Sequence, residues 1–178
     1  MKRISDKITR QKAAQVKLAV FDVDGIMTDG SLSFAADGSE IKTFNVLDGL
    51  GIKLLQKNNI ATAIITGRSS NQVVARAKSL GITHLLQGRE DKLLALKEIC
   101  SEHKYSLSEC AYIGDDLPDL SAIKAAAFGA TVPNAHPLVI DQSDWYTSLP
   151  GGKGAAREFC EAILDAQGSL QSTYDEYA

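Results

Sequence analysis

Residues 16–25 read V-K-L-A-V-F-D-V-D-G, an apolar run that stops at two carboxylates two positions apart and a glycine. Val16, Leu18, Ala19, Val20 and Phe21 show little polar alternation, the pattern of a strand covered on both faces. Asp22 and Asp24 do not belong in an apolar core. The strand must therefore end there and present both acids, with Gly25 permitting the sharp turn. A solvated Asp-Gly turn would account for the pair. So would chemistry in which one carboxylate attacks and the other handles a proton.

The same punctuation recurs along the chain. Residues 60–66 form a second apolar run that ends at Thr66-Gly67-Arg68, and 109–114 a third that ends at Asp115-Asp116 with Asp119 close behind. Shorter strand patterns lie at 82–87, 127–132 and 144–147. Between them, helical spacing predicts a helix over 49–57, capped by Asp48 with Leu50, Leu54 and Leu55 inward. Another opens at Ser69 or Ser70, runs to Leu80 and is stopped by Gly81. Further helices are predicted over 91–103, with Leu93, Leu94, Leu96 and Ile99 inward, over 118–126 and over 154–166. Residues 1–15 read as a polar helical arm and 168–178 as a polar tail. Residues 31–46 differ, with Leu32 and Phe34 alternating with serines, Asp37-Gly38 as a turn, and Ile41, Thr43, Phe44 and Val46 returning. The prediction is a single α/β domain over 1–178. Its sheet is doubly wound and mainly parallel, with a small β-hairpin insertion at about 31–46 and no large cap domain. Asp22, Thr66 and Asp115 then share the strand ends where such sheets bind ligands.

The bulk properties narrow the function. The 178 residues carry 19 basic and 22 acidic side chains, a net charge of −3 with no basic stripe, which argues against nucleic acid. No segment approaches the roughly 20 apolar residues of a membrane span. The first fifteen residues hold Lys2, Arg3, Lys7, Arg10 and Lys12 without the apolar segment of a signal peptide, so a cytoplasmic protein is expected. Cys100, Cys110 and Cys160 have no metal-ligand spacing and read as thiols in a reducing compartment.

Four elements carry chemistry. Asp22-Val23-Asp24-Gly25 is the first, followed on the same loop by Thr28, Asp29 and Gly30. In the second, Asp115, Asp116 and Asp119 repel one another unless a cation intervenes, and their oxygens suit Mg²⁺. Asp116 and Asp119 could instead serve only a helix N-terminus. The third, Thr66-Gly67-Arg68, offers a hydroxyl and free backbone N–H groups as a phosphate seat. The fourth is Lys92, at a helix start where the dipole gives a lysine no advantage. Gly151-Gly152-Lys153-Gly154 lacks the frame of a nucleotide loop. His84 and His103 read as structural, His136 as part of a loop beside the site, and Trp145 and Tyr146 as packing residues.

Together D-V-D-G-I-M-T-D, I-I-T-G-R, Lys92 and G-D-D-L-P-D resemble the four motifs of the haloacid dehalogenase superfamily of phosphohydrolases. With F-N-V-L-D-G-L-G-I-K-L-L, G-I-T-H-L-L-Q-G, A-H-P and G-G-K-G-A-A-R-E, residues 15–170 are similar to the 3-deoxy-D-manno-octulosonate 8-phosphate phosphatase family. That resemblance implies hydrolysis of an eight-carbon acidic sugar phosphate in lipopolysaccharide biosynthesis, with Mg²⁺, in a homotetramer. It implies Asp22 as nucleophile and Asp24 as general acid/base. Metal ligation would come from Asp22, the Asp24 carbonyl and Asp115, supported by Asp116, and phosphate binding from Thr66, Gly67 and Lys92. Thr28, Asp29, Gly30, Asn45, Asp48, Arg68, Lys153 and Arg157 are candidates for substrate contacts. The family commonly has an arginine before D-G-x-G-I, where this chain has Leu47. Rival readings are the same chemistry on a nonulosonate 9-phosphate, and a phospho-accepting signalling domain.

Overall fold

The computed structural model describes residues 4–178; the first three residues of the expected N-terminal arm lie outside it. In chain order the elements are α1 (Lys7–Ala14), β1 (Leu18–Phe21), β2 (Ser33–Phe34), β3 (Glu40–Ile41), α2 (Val46–Lys57), β4 (Ala61–Ile65), α3 (Asn71–Leu80), β5 (His84–Leu86), α4 (Lys92–His103), β6 (Cys110–Ile113), α5 (Leu120–Ala125), β7 (Phe128–Thr131), α6 (Pro137–Gln142), β8 (Trp145–Tyr146), α7 (Ala155–Ala166) and α8 (Leu170–Asp175). Six strands form one sheet in the order β5-β4-β1-β6-β7-β8, every pair parallel. β2 and β3 pair antiparallel as the separate hairpin. Among the described residues nothing else lies between the first strand and α2, so the expected architecture holds and there is no large cap.

The unbroken apolar run of β1 follows from its place in the middle of the sheet. Ala19 and Phe21 face a core built with α2, α3 and α7, whereas Leu18 and Val20 face α4 and α5. Phe21 meets Phe159 of α7 edge-on at 5.5 Å, and Phe159 stacks on Phe128 at 5.7 Å. Truncating Phe159 to alanine would cost about 3–5 kcal/mol. Trp145 packs against Phe128 with ring centroids 6.0 Å apart, in line with a packing role.

Several expectations are corrected. Asn45, not Asp48, caps α2, its Oδ1 accepting from the Leu47 amide at 2.8 Å. Leu50 is exposed on that helix, while Leu54 and Leu55 are buried. On α4 the buried positions are Lys92, Ala95, Leu96, Ile99 and Cys100, and Leu94 is 54% exposed. A helix that must turn Lys92 inward presents positions three, four and seven residues later on the same face, which leaves 94 outside. α5 begins at Leu120, after a 3₁₀ turn over Leu117–Asp119. α6 was not anticipated. Nor was α8, which lies within the tail read as polar and buries Leu170 and Thr173.

Candidate active site

The sheet order reverses direction between β1 and β6, since the chain moves from β1 outward to β4 and β5 and returns to β6 on the other side. A crevice opens at such a switch point, beyond the carboxyl ends of the strands. Here it is a cleft of about 270 Å³ whose walls include Asp22, Asp24, Thr66, Lys92, Asp115 and Asp119. β1, β4 and β6 thus bring together the residues read at the three strand ends, and α4 adds Lys92.

The ammonium of Lys92 donates to Asp22 Oδ1 at 2.7 Å, to Asp119 Oδ1 at 2.9 Å and to the Ile65 carbonyl at 3.3 Å. Burial would lower its pKa, but the carboxylates of Asp22 and Asp119 outweigh this and raise it. Asp119 also accepts from the Tyr112 hydroxyl at 2.8 Å and from the Asp115 and Asp116 amides at 3.2 and 3.3 Å. It is therefore the hub that fixes both Lys92 and the Asp115 loop. Its spacing after Gly114 was visible in the sequence, but a buried hub and a solvated helix-start acid look alike there.

The cleft is over-supplied with negative charge. Asp22, Asp24, Glu90, Asp115, Asp116 and Asp119 line it against Arg68 and Lys92 alone. Burial and the neighbouring Asp119 push Asp22 up to about 8. Burial, with Asp119 and Asp116, pushes Asp115 up to about 7. Asp22, Asp115 and Asp119 each offer an oxygen within 4.8 Å of the others. Hard oxygen donors at this spacing fit a divalent cation of the Mg²⁺ type. Gly25, at φ 91°, is required here, because a Cβ on it would stand 2.1 Å from Asp115 Oδ2. Gly151 packs on the same loop, where a Cβ would meet the Gly25 carbonyl at 1.8 Å. That close approach gives the glycine-rich segment a structural purpose.

Other candidates fall in different places. Gly30, Gly67 and Arg68 line the cleft, and the Thr66 side chain is buried at its floor. Asp116 points its carboxylate to the Leu117 amide at 2.8 Å and caps the 3₁₀ turn, outside the Asp22–Asp115–Asp119 group. Thr28 bonds within its own loop, and Asp29 accepts from the Ser31 amide at 3.0 Å. Asn45 Nδ2 donates to the Gly152 carbonyl at 3.2 Å. Asp48 is buried and accepts the Arg157 amide at 2.9 Å, so it ties α2 to the start of α7 and does not line the cleft. Arg157 turns to Glu161 at 2.5 Å, and Lys153 is exposed beyond the cleft. His136 donates its amide to the Asp115 carbonyl at 2.9 Å and caps α6, which places it beside the site through its backbone.

Sequence reasoning did not single out Glu40 and Lys42 of the hairpin. The Lys42 ammonium is ion-paired with Asp24 Oδ1 and lies 3.3 Å from Glu40 Oε1. Arg68 reaches Glu40 Oε1 at 3.1 Å and stands 3.9 Å from Asp24 Oδ2.

Comparison with known proteins agrees with this arrangement. A family model described as haloacid dehalogenase-like hydrolase matches residues 83–158. The 3-deoxy-D-manno-octulosonate 8-phosphate phosphatase of Yersinia pestis is 44% identical over 161 residues, 90% of this chain and 86% of that protein. A probable YrbI-family phosphatase from Pseudomonas syringae pv. phaseolica superposes with a TM-score of 0.95 at 52% identity, covering 97% of this chain and 98% of that one. The Moraxella catarrhalis 3-deoxy-D-manno-octulosonate 8-phosphate phosphatase, solved with magnesium, phosphate and the sugar acid, does so with a TM-score of 0.94 at 48% identity, covering 96% and 98%. At these identities over nine tenths or more of its length, the chain belongs to the 3-deoxy-D-manno-octulosonate 8-phosphate phosphatase family of haloacid dehalogenase-like hydrolases.

Proposed function

We propose that this chain is a single-domain, Mg²⁺-dependent phosphatase that hydrolyses 3-deoxy-D-manno-octulosonate 8-phosphate to the free sugar acid and phosphate. The observation that carries the reading is Asp22 at the end of β1, held by Lys92 at 2.7 Å within a carboxylate group fitted to a divalent cation. The substrate follows from the relatives: the Moraxella catarrhalis protein binds magnesium, phosphate and this sugar acid.

Asp22 attacks phosphorus in line, and the bond from phosphorus to the sugar oxygen breaks. Asp24, two residues on and across the turn, delivers the proton to that oxygen. The product on the enzyme is an aspartyl phosphate at Asp22. Asp24 then takes a proton from water, which attacks phosphorus and releases inorganic phosphate. Lys92 and Thr66 hold the phosphoryl oxygens during both transfers. Asp22, Asp115 and the Asp24 carbonyl, with Asp119 beside them, would hold the cation, which would supply the positive charge that lets an anionic nucleophile approach an anionic phosphate. A phospho-accepting domain without turnover has no use for Asp24 at this position.

The hairpin supports a homotetramer as the working form. Phe34 and Ile41 are 60% and 51% exposed, whereas Lys42 and Glu40 are tied to Asp24 and Arg68. A two-stranded hairpin that leaves its apolar residues exposed needs a partner surface. Phe44, read with those residues, belongs elsewhere: it packs against its own core beneath Arg76. Three free, buried thiols fit a reducing, cytoplasmic setting, and among the described residues no helix is long and apolar enough to cross a membrane.

The deciding experiment is phosphate release from a panel holding the eight-carbon substrate, nonulosonate 9-phosphate and simple sugar phosphates, with Mg²⁺ and with chelator. The reading expects the eight-carbon ester to have the highest kcat/KM, no turnover in chelator, and a trapped acyl phosphate on Asp22 that Asp22→Asn abolishes. A preference for the nine-carbon ester, or an acyl phosphate elsewhere, overturns the substrate or the nucleophile respectively.

A further inference from the structure

The hairpin turns two charged residues toward the domain. Successive residues of a strand point to opposite sides, so Glu40 and Lys42 share one side with Phe34, which pairs directly with Glu40, and Ile41 lies on the other. The Lys42 side chain is only 3% exposed. A lysine is not buried in this way without charged partners, and its partners are Asp24 Oδ1 and Glu40. Glu40 is itself fixed twice: its carboxylate meets Arg68 at 3.1 Å, and its backbone carbonyl accepts from Gln72 Nε2 at 2.6 Å, on α3. The hairpin is therefore anchored to the domain by charged and polar groups, and the end of that chain of contacts is the carboxylate of Asp24.

The two oxygens of Asp24 are not equivalent. Oδ1 is committed to Lys42. Oδ2 is buried and accepts no hydrogen bond among the described residues, with Arg68 Nε 3.9 Å away. A carboxylate pinned at one oxygen cannot rotate about its side-chain torsions, so the other oxygen keeps one direction. An unpartnered buried oxygen is costly, which fits an atom whose partner arrives with the substrate.

We infer that Lys42 is a positioning residue: through it the hairpin insertion pins Asp24 by Oδ1 and aims Oδ2 at the oxygen that leaves phosphorus. The inference rests on the reading of Asp24 as the proton-handling group. No bond to the substrate is required of Lys42, and its loss acts through the orientation of Asp24. Misplacement of a reacting group by about an ångström is worth up to about a hundredfold in rate. The loss falls on the step that needs the proton, namely departure of an alkoxide. A nitrophenolate leaves with little help.

The test compares wild type, Lys42→Met and Lys42→Arg in single turnovers with Mg²⁺, on the octulosonate phosphate and on p-nitrophenyl phosphate. Lys42→Met is expected to slow release of the sugar about tenfold or more, to change nitrophenol release by less than about twofold, and to leave KM within about twofold. Lys42→Arg recovers part of the sugar rate. Equal slowing of both esters overturns the inference in favour of a purely structural role. A raised KM with unchanged kcat overturns it in favour of a substrate contact. A wild type inert toward the octulosonate phosphate overturns the proposed substrate, and Lys42 is then judged on the ratio between p-nitrophenyl phosphate and an alkyl phosphate that the wild type hydrolyses. A wild type inert toward every ester overturns both.

Discussion

Lys92 stands at the first position of α4 with its ammonium 2.7 Å from Asp22 Oδ1. A helix start repels a cation, and burial adds a further cost, yet the side chain is almost wholly enclosed. Asp22 and Asp119 together offset both terms. Removal of the lysine leaves two buried carboxylates facing each other. Lys92→Met is therefore expected to lower the unfolding free energy by about 3–5 kcal/mol at pH 7.5 and to reduce turnover by on the order of a thousandfold. Urea unfolding with and without Mg²⁺ checks the first, phosphate release the second. An unfolding free energy within about 1 kcal/mol of wild type would show that the pair is not a structural keystone.

Asp115 gives a prediction with a defined sign. Burial and the adjacent acids push its pKa from the ordinary 3.8 to about 7. Between these values the folded chain holds a proton that the unfolded chain has released, so without metal the contribution of Asp115 to stability falls as pH rises from about 4 to about 7. A bound cation reverses the sign, because it stabilises the ionised form. In chelator, Asp115→Asn should gain on wild type as pH is raised from 5 to 8, by on the order of 1 kcal/mol. With Mg²⁺ the wild type should gain Tm most at pH 8, and the variant should lose that increment. A pH-independent difference between the two proteins would refute the assignment.

Asp48 is expected to matter for folding and not for substrate. It lies in the first turn of α2, but its Oδ1 accepts the Arg157 amide of α7. Burial raises its pKa, and backbone donors from Arg157, Gly154 and Ala156 pull the other way. It is in effect the cap of a helix that begins more than a hundred residues later. Asp48→Ala should cost about 1–2 kcal/mol and leave KM within about twofold. A large rise in KM at unchanged Tm would restore it as a substrate contact.

How far these roles could be read beforehand depends on how local their causes are. The strand ends were legible because an apolar run that stops at acids needs no tertiary information. Lys92 was legible only through its place after a strand, and its inward direction then explains why Leu94 faces water. Asp48 was misread because Asn45, three residues earlier, is also a good cap, and the partner of Asp48 is remote in sequence. α6 carried a usable signal in Pro137 at its first position. α8 carried almost none, since it is anchored mainly by Leu170 and Thr173. Lys42 was invisible because hairpin lysines are ordinarily solvated. Only the fold shows that this one is turned under the hairpin.

The hairpin also supplies the test of assembly. Glu40 and Lys42 are committed to Arg68 and Asp24, while Phe34 and Ile41 stay exposed to meet another copy. The apolar surface that Phe34 and Ile41 leave exposed favours burial by on the order of 1 kcal/mol each, and a closed ring would cover every copy of it equally. Deleting the hairpin would confuse assembly with the loss of Lys42, whereas a charge at Ile41 separates them. Wild type should sediment at micromolar concentration as one species of about four times 19.1 kDa. Ile41→Glu, on the side away from Lys42, should shift it to smaller species while leaving nitrophenol release from p-nitrophenyl phosphate in place. If the subunits complete one another's entrances, the variant loses activity on the sugar phosphate in step with its dissociation. A monomeric wild type with full activity on the sugar phosphate would reject the shared entrance and leave the chemistry at Asp22 untouched.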